Sequence, residues 1–221
     1  GGCLGSNSRR EAGGKYDDKG FEVTMGKGPE KSREQQREKR RQEILECGLN
    51  MIITRGFEAT KIRDIAKELG ISVGLFFNYF ESKENLYEEL IKIGLSGPAS
   101  VLELNRDDIE PIVLFEKMTE VIFESLGMDS ISAKMFLLMA QTIRSKTAPP
   151  SVKKMVAGFD AVSPLLPTIQ QGQRKGQIKE GDPVALAIAY WGAVQGIAGY
   201  FALCPALPLP KSSWVVDILR A

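Results

Sequence analysis

Histidine is absent from the sequence and cysteine is scarce: Cys3, Cys47 and Cys204 are odd in number, far apart and match no metal-ligand spacing. Without histidine the chain lacks the commonest general base, the commonest metal ligand and any Ser-His or Cys-His arrangement. No metal, no cofactor and no enzymatic activity are therefore expected. Scattered thiols fit a reducing, cytoplasmic compartment, with Cys47 a small core hydrophobe. Net charge is missing too: 29 Lys and Arg stand against 28 Asp and Glu, leaving +1. Affinity for nucleic acid or membrane must then come from local charge distribution. Residues 1–24 are rich in glycine and charge and carry no apolar stretch of secretory type. They read as a vector-derived leader or a disordered arm, with Met25 the natural start.

What remains is ordinary for a globular chain, 43% hydrophobic and 26% charged. Alternating strand patterns and internal repeats are absent, and helical periodicity dominates. The run from Lys31 begins polar and basic, then brings in Ile44, Leu45, Gly48, Leu49, Ile52 and Ile53 at helical spacing, ending near Gly56. "KIRDIAKELG" predicts a second, short helix with Ile62, Ile65, Ala66 and Leu69 on one face and a glycine stop at Gly70. Ser72 offers an N-cap for a third helix over 73–80, and Ser82 caps a fourth that starts at Lys83. The second and third helices, joined by "LGIS", have the sequence form of a helix-turn-helix; a generic helical hairpin is the alternative.

Aromatic crowding in "GLFFNYF" sharpens that choice. Phe76 and Phe80, four apart, can point together into a small core with Ile65, Leu69 and Ile71. Phe77, Asn78 and Tyr79 fall off that seam, with Ser72, Val73, Gly74 and Leu75 at the helix start, where a major-groove reader presents its side chains. Asn78 can pair with a base edge or a phosphate, the Tyr79 hydroxyl can bond phosphate, and apolar side chains can touch a thymine methyl. Lys83, Lys61, Arg63 and the segment holding Arg37, Lys39, Arg40 and Arg41 could supply phosphate contacts. The competing reading is that they merely solvate their helices.

The span "RRQEILECGLNMIITRGFEATKIRDIAKELGISVGLFFNYFESKENL" resembles the DNA-binding domain of the tetracycline repressor (TetR) family of bacterial transcription regulators. The resemblance implies an all-α fold of about nine helices: a helix-turn-helix domain at 31–85, then a larger ligand-binding and dimerisation domain at 86–221. It also implies a homodimer on a double-stranded DNA operator and a small-molecule effector. Arg63, Ser72, Val73, Gly74, Leu75, Phe77, Asn78, Tyr79 and Lys83 occupy positions that commonly approach DNA in that family. Three departures stand out. Lys61 replaces the usual Ser or Thr cap of the second helix, so Thr60 caps one residue earlier or the cap is lost. Phe77 replaces a usual tyrosine, and Val73 makes the reading surface unusually apolar.

Further helices are expected at 109–126, 130–144, 151–176, 183–203 and 212–220, with Pro164 and Pro167 kinking or breaking the third of them. Residues 183–210 carry no charge and include a GxxxG, which taken alone reads as a membrane anchor through 184–204. Against that stand Gln195 mid-run, hydrophobicity drawn largely from Ala and Gly, and prolines at its end. The segment also resembles the family's penultimate helix, which makes Gly192, Gly196 and Gly199, with Trp214, candidates for a dimer interface, so that no membrane partner is expected. Phe115, Met118, Phe123, Phe136, Met139, Phe159 and Trp191 are candidate contacts for a hydrophobic or amphipathic effector. The expectation is a repressor released from a palindromic operator by that effector. The alternatives are a dimeric ligand- or partner-binding protein that has lost DNA binding, or a membrane-anchored protein through residues 184–204.

Overall fold

In the computed structural model, residues 29–102, 109–128 and 130–221 are described; the leader assigned to residues 1–24 lies outside them. The described residues form ten α-helices, one 3-10 turn and a single isolated bridge.

Helix α1, Pro29–Arg55, is solvated over its basic first half. From Ile44 onward Ile44, Leu45, Leu49 and Ile52 recur at helical spacing and are buried. Gly48 lies where α1 meets α4 (Lys83–Leu102): a Cβ there would sit 2.6 Å from Leu86 Cδ2. Only glycine allows that approach without repacking. Gly56, at φ +83°, ends α1 in the left-handed region. Helix α2, Ile62–Glu68, begins at an extended Lys61 that makes no side-chain cap. Thr60, fully buried, donates its hydroxyl to the Gly56 carbonyl, 2.8 Å away. The α2 cap is therefore lost, not displaced to Thr60.

Gly70, at φ +62°, closes α2, and the Ile71 N–H bonds the Ala66 carbonyl at 2.9 Å, the six-residue closure of a Schellman motif. Helix α3 follows at once, Val73–Phe77, shorter than the 73–80 span expected. It is capped by Ser72 Oγ, which accepts from Leu75 N–H at 3.0 Å. Ser82 Oγ accepts from Asn85 N–H at 3.0 Å and opens α4. That helix continues through Gly97 and Pro98 to Leu102.

Helices α5 (Pro111–Met128), α6 (Ser130–Arg144) and α7 (Pro150–Val156) follow. The expected helix over 151–176 is divided. After Val156 the chain turns at Asp160, whose Oδ1 accepts the N–H groups of Val162 and Ser163, both at 2.9 Å. A 3-10 turn, Ser163–Leu165, then carries Pro164, and α8, Leu166–Arg174, carries Pro167. Each proline sits in a first turn, where its missing N–H is no loss. Helix α9, Pro183–Leu203, has Asp182 as N-cap, and α10 covers Ser212–Val216. The last helix stops short of residue 220 because the chain end pairs with the α8–α9 connection: Lys179 N–H bonds the Leu219 carbonyl at 2.9 Å, and Ala221 N–H bonds the Gln177 carbonyl at 3.2 Å.

Packing forms two cores. One joins α1–α4 to Met135, Leu138 and Met139 of α6 and to α7; the other joins α5, α8, α9 and α10 around Phe115, Leu126, Tyr190 and Val216. Helix α6 contributes to both, with Ala133 in the second. The core of the amino-terminal unit thus does not stop at residue 85. It runs on through Leu86, Tyr87, Leu90 and Ile91 into the rest of the chain.

Helix α9 is long and apolar enough to cross a bilayer by length and composition, with a mean hydropathy of 1.4. One side of it packs in the second core through Ala187, Tyr190, Val194 and Ala198. The other side is exposed at Val184, Ile188, Tyr200 and Leu203.

Candidate nucleic-acid interface and effector cavity

The rings of "GLFFNYF" separate as their spacing requires. Phe76 and Phe80 are buried with centroids 5.8 Å apart, in one core with Ile65; Leu69 and Ile71 pack against it. Phe77 stands 50% exposed, its ring edge-on to Phe76. Ser72, Val73, Gly74 and Asn78 are exposed beside it, and Leu75 is half-buried. At the start of α2, Lys61 and Arg63 are exposed. A Cβ on Gly74 would meet only Ser72 Oγ, 3.8 Å away. Packing within the chain therefore does not explain the glycine.

Tyr79 is partly buried and lines an open cleft with Arg33, Gln36, Arg37, Lys39, Arg40 and Glu43 of α1. The cleft brings a phenol and four cationic side chains together. Two of the cations assigned from the sequence have other partners. Arg41 bonds Glu89 on α4 at 2.8 Å and lies over the Phe80 ring, while Arg40 pairs with Glu43 at 2.6 Å. Hydrogen bonds from Lys92 and Arg41 hold the Glu89 carboxyl below its ordinary pKa, with the Lys92 bond the larger effect.

Lys83 is placed differently from the expectation. Its ammonium donates to the carbonyls of Phe57, at 2.7 Å, and Thr60, at 2.8 Å, and sits 4.1 Å from the Phe57 ring centroid. Two of its three donors thus tie the α1–α2 turn to the start of α4. The side chain positions α2 instead of standing free for a phosphate.

Between α4, α5, α6 and α9 lies a cavity of about 340 Å³, within the range that holds small molecules. Met118, Phe136, Met139, Phe159 and Trp191 line it, with the Phe136 and Trp191 rings 6.0 Å apart. Phe115 and Phe123 do not. Phe115 is fully buried edge-on to Tyr190, and Phe123 packs in the second core. Met135 lines the cavity as well, and so do Gly94, Gly97, Asp160 and Gln195, which were not assigned from the sequence as contacts. Gln195 carried a signal, as a polar residue four positions after Trp191 in a charge-free helix. Gly94 is a close approach: a Cβ there would come 2.6 Å from Met139 Sδ.

A Cβ added at Gly192, Gly196 or Gly199 would meet nothing within 4 Å, so their side of α9 is open. Trp214 is 61% exposed, as are Leu203 and Leu207 to a similar degree. Among the described residues no cluster of three or more His, Cys, Asp or Glu could hold a metal ion.

A tight glycine turn between two short helices, a capped third helix with an exposed face, and a helical unit enclosing an apolar cavity define a helix-turn-helix protein with a helical companion unit. Residues 44–90 match the family described as bacterial regulatory proteins, tetR family. Over 53 residues it is 42% identical to the HTH-type transcriptional repressor KstR2 of Mycolicibacterium smegmatis, a match that covers 24% of this chain and 26% of that protein. The chain thus matches about a quarter of the length of that curated relative. Likeness along most of the chain is one of fold. The structure of PfmR from Thermus thermophilus superposes with a TM-score of 0.63 at 23% identity, covering 80% of this chain and 96% of that one. KstR2 of Mycobacterium tuberculosis gives 0.62 at 18% identity, covering 82% and 95%.

Proposed function

We propose that this protein is a ligand-responsive DNA-binding transcriptional regulator, acting as a homodimer and repressing from a palindromic operator. The observation that carries the reading is the exposed face of α3. Ser72, Val73, Gly74, Phe77 and Asn78 face solvent on a helix whose other side is anchored by Phe76 and Phe80. Gly74 supports a partner outside the chain, since a bare backbone permits close approach where no internal neighbour demands it. Arg63 beside this face and the cations around Tyr79 would neutralise phosphates, while α3 meets base edges in the major groove.

Residues 31–85 would read DNA, and residues 86–221 would sense and dimerise. The open side of α9, with Gly192, Gly196 and Gly199 between exposed Ile188 and Tyr200, fits a second copy related by a two-fold, with Trp214 at its edge. That use of the apolar side favours a cytoplasmic dimer over a membrane anchor.

The coupling route is physical. Met135 and Met139 face the cavity, while Thr142 on the same helix bonds Tyr87 on α4. Tyr87 stacks on Phe57, whose carbonyl Lys83 holds. A ligand that displaced α6 would move α4 and the α1–α2 turn, changing the spacing of paired recognition helices. Ligand and DNA affinities would then be reciprocally linked. A gel shift on the DNA upstream of the protein's own gene tests the reading. Retarded bands that resist unrelated competitor DNA support it; equal competition by any duplex would refute it.

A further inference from the structure

Resting on the reading of the cavity as an effector site, we infer that it selects an uncharged, ring-bodied ligand with one hydrogen-bonding group held by Gln195, and rejects anions. The walls are apolar or sulfur-bearing: Met118, Met135 and Met139 face Phe136 and Trp191. Thioether sulfurs and aromatic faces both favour flat, polarisable partners. Among the described residues, neither lysine nor arginine lines the cavity. A carboxylate or phosphate entering it would shed water without meeting a cation.

Asp160 strengthens that exclusion. It lines the cavity, and its carboxyl is held below the ordinary aspartate range by hydrogen bonds from the Ser163 side chain and from the Ser163 and Val162 N–H groups. A fixed negative charge at the wall repels an anion. Because Asp160 is exposed, water weakens its field for either sign of charge, and a cation, like an anion, would have to shed its hydration against the apolar walls. An uncharged ligand remains.

Gln195 supplies the polar contact. It lies one helical turn beyond Trp191 on α9, so both side chains fall on the cavity side. Other polar groups near the cavity are already occupied within the chain. Ser125 donates to the Ile122 carbonyl at 2.6 Å, and Tyr190, on the core side of α9, bonds Thr119 at 2.9 Å. The Gln195 carboxamide makes no hydrogen bond among the described residues and can both donate and accept. A half-buried amide in apolar surroundings gains most from a hydroxyl or carbonyl on the ligand.

Calorimetric titration of the full-length protein with 2-naphthol, 2-naphthoate and 2-methylnaphthalene separates the possibilities. The expected result is one 2-naphthol per chain, bound at least tenfold more tightly than 2-naphthoate. Gln195→Leu should weaken 2-naphthol about three- to tenfold, the scale of one neutral hydrogen bond, without weakening 2-methylnaphthalene. Gln195→Lys, which puts a cation at the same place, should narrow or invert the preference against 2-naphthoate. Circular dichroism checks that both variants fold, and the Lys variant keeps the test decisive if the Leu variant does not. Equal or tighter binding of 2-naphthoate by the unmodified protein, no binding of 2-naphthol, or unchanged 2-naphthol affinity in a folded Gln195→Leu would overturn the inference. A gel shift on the same preparations reads DNA binding separately, so failure of the regulator reading is distinguishable from failure of this one.

Discussion

The hydroxyl of Tyr87 on α4 lies 2.8 Å from that of Thr142 on α6, and both residues are buried. Thr142 also donates to the Leu138 carbonyl at 2.7 Å, so Tyr87 is the donor in the pair. This bond joins the helix leaving the helix-turn-helix unit to a helix that lines the cavity. Tyr87→Phe removes it while leaving the Phe57 stacking and the Thr142–Leu138 bond in place. The expected cost is about 0.5–1.5 kcal/mol, read as a lower urea midpoint with unchanged slope. An unchanged midpoint would show that the bond contributes nothing.

Lys83 offers a sharper discrimination. If its ammonium holds the Phe57 and Thr60 carbonyls, Lys83→Met should destabilise the fold by about 1–3 kcal/mol. DNA affinity should fall with α2 misplaced, yet the dependence of log affinity on log salt should keep its slope. A slope reduced by about one, with full stability, would mean that Lys83 neutralises a phosphate instead.

Phe77 tests the reading face. Being 50% exposed, it contributes little to packing, and Phe77→Tyr should leave the melting temperature within a few degrees. A hydroxyl at that position should raise operator affinity about two- to tenfold if it meets a phosphate, on the scale of one hydrogen bond. Unaltered affinity would remove Phe77 from the contact surface.

Tyr190 predicts a pH dependence. Burial pushes its phenol up to about 12, and the hydrogen bond with Thr119 opposes that only in part. Since the unfolded phenol titrates near 10, the folded state holds the proton more tightly. Its contribution is fully present below pH 10 and is lost as pH rises toward 12, at most about 2–3 kcal/mol by linkage. Urea unfolding at pH 9 and pH 11 should show a fall in stability that is smaller in Tyr190→Phe. Parallel losses in both proteins would assign the effect to other groups.

The amino-terminal unit was legible in the sequence because short-range chemistry determines it. Gly56 and Gly70 mark left-handed stops, Ser72 and Ser82 cap the helices that follow, and the four-residue spacing of Phe76 and Phe80 orients α3. Helices α6 and α9 carried equally clear signals. What escaped depends on contacts distant in sequence. Lys83 reads as a surface cation until the Phe57 and Thr60 carbonyls are seen to converge on it. Phe115 and Phe123 share the composition of a pocket wall, but their helix turns them into the second core, while Gln195 and Gly94 reach the cavity through packing between helices. The division of 151–176 was half legible: the prolines forecast a break, whereas the Asp160 turn precedes them.

On the proposed function, α3 meets DNA as one of a pair. Selection of bound duplexes from a random library by the purified full-length protein tests it most directly. The expected outcome is enrichment of a palindrome with half-sites about one helical turn apart, lost in a variant carrying Asn78→Ala and Tyr79→Ala. Recovery of no common sequence after repeated rounds, with binding no stronger than to arbitrary duplex, would contradict it.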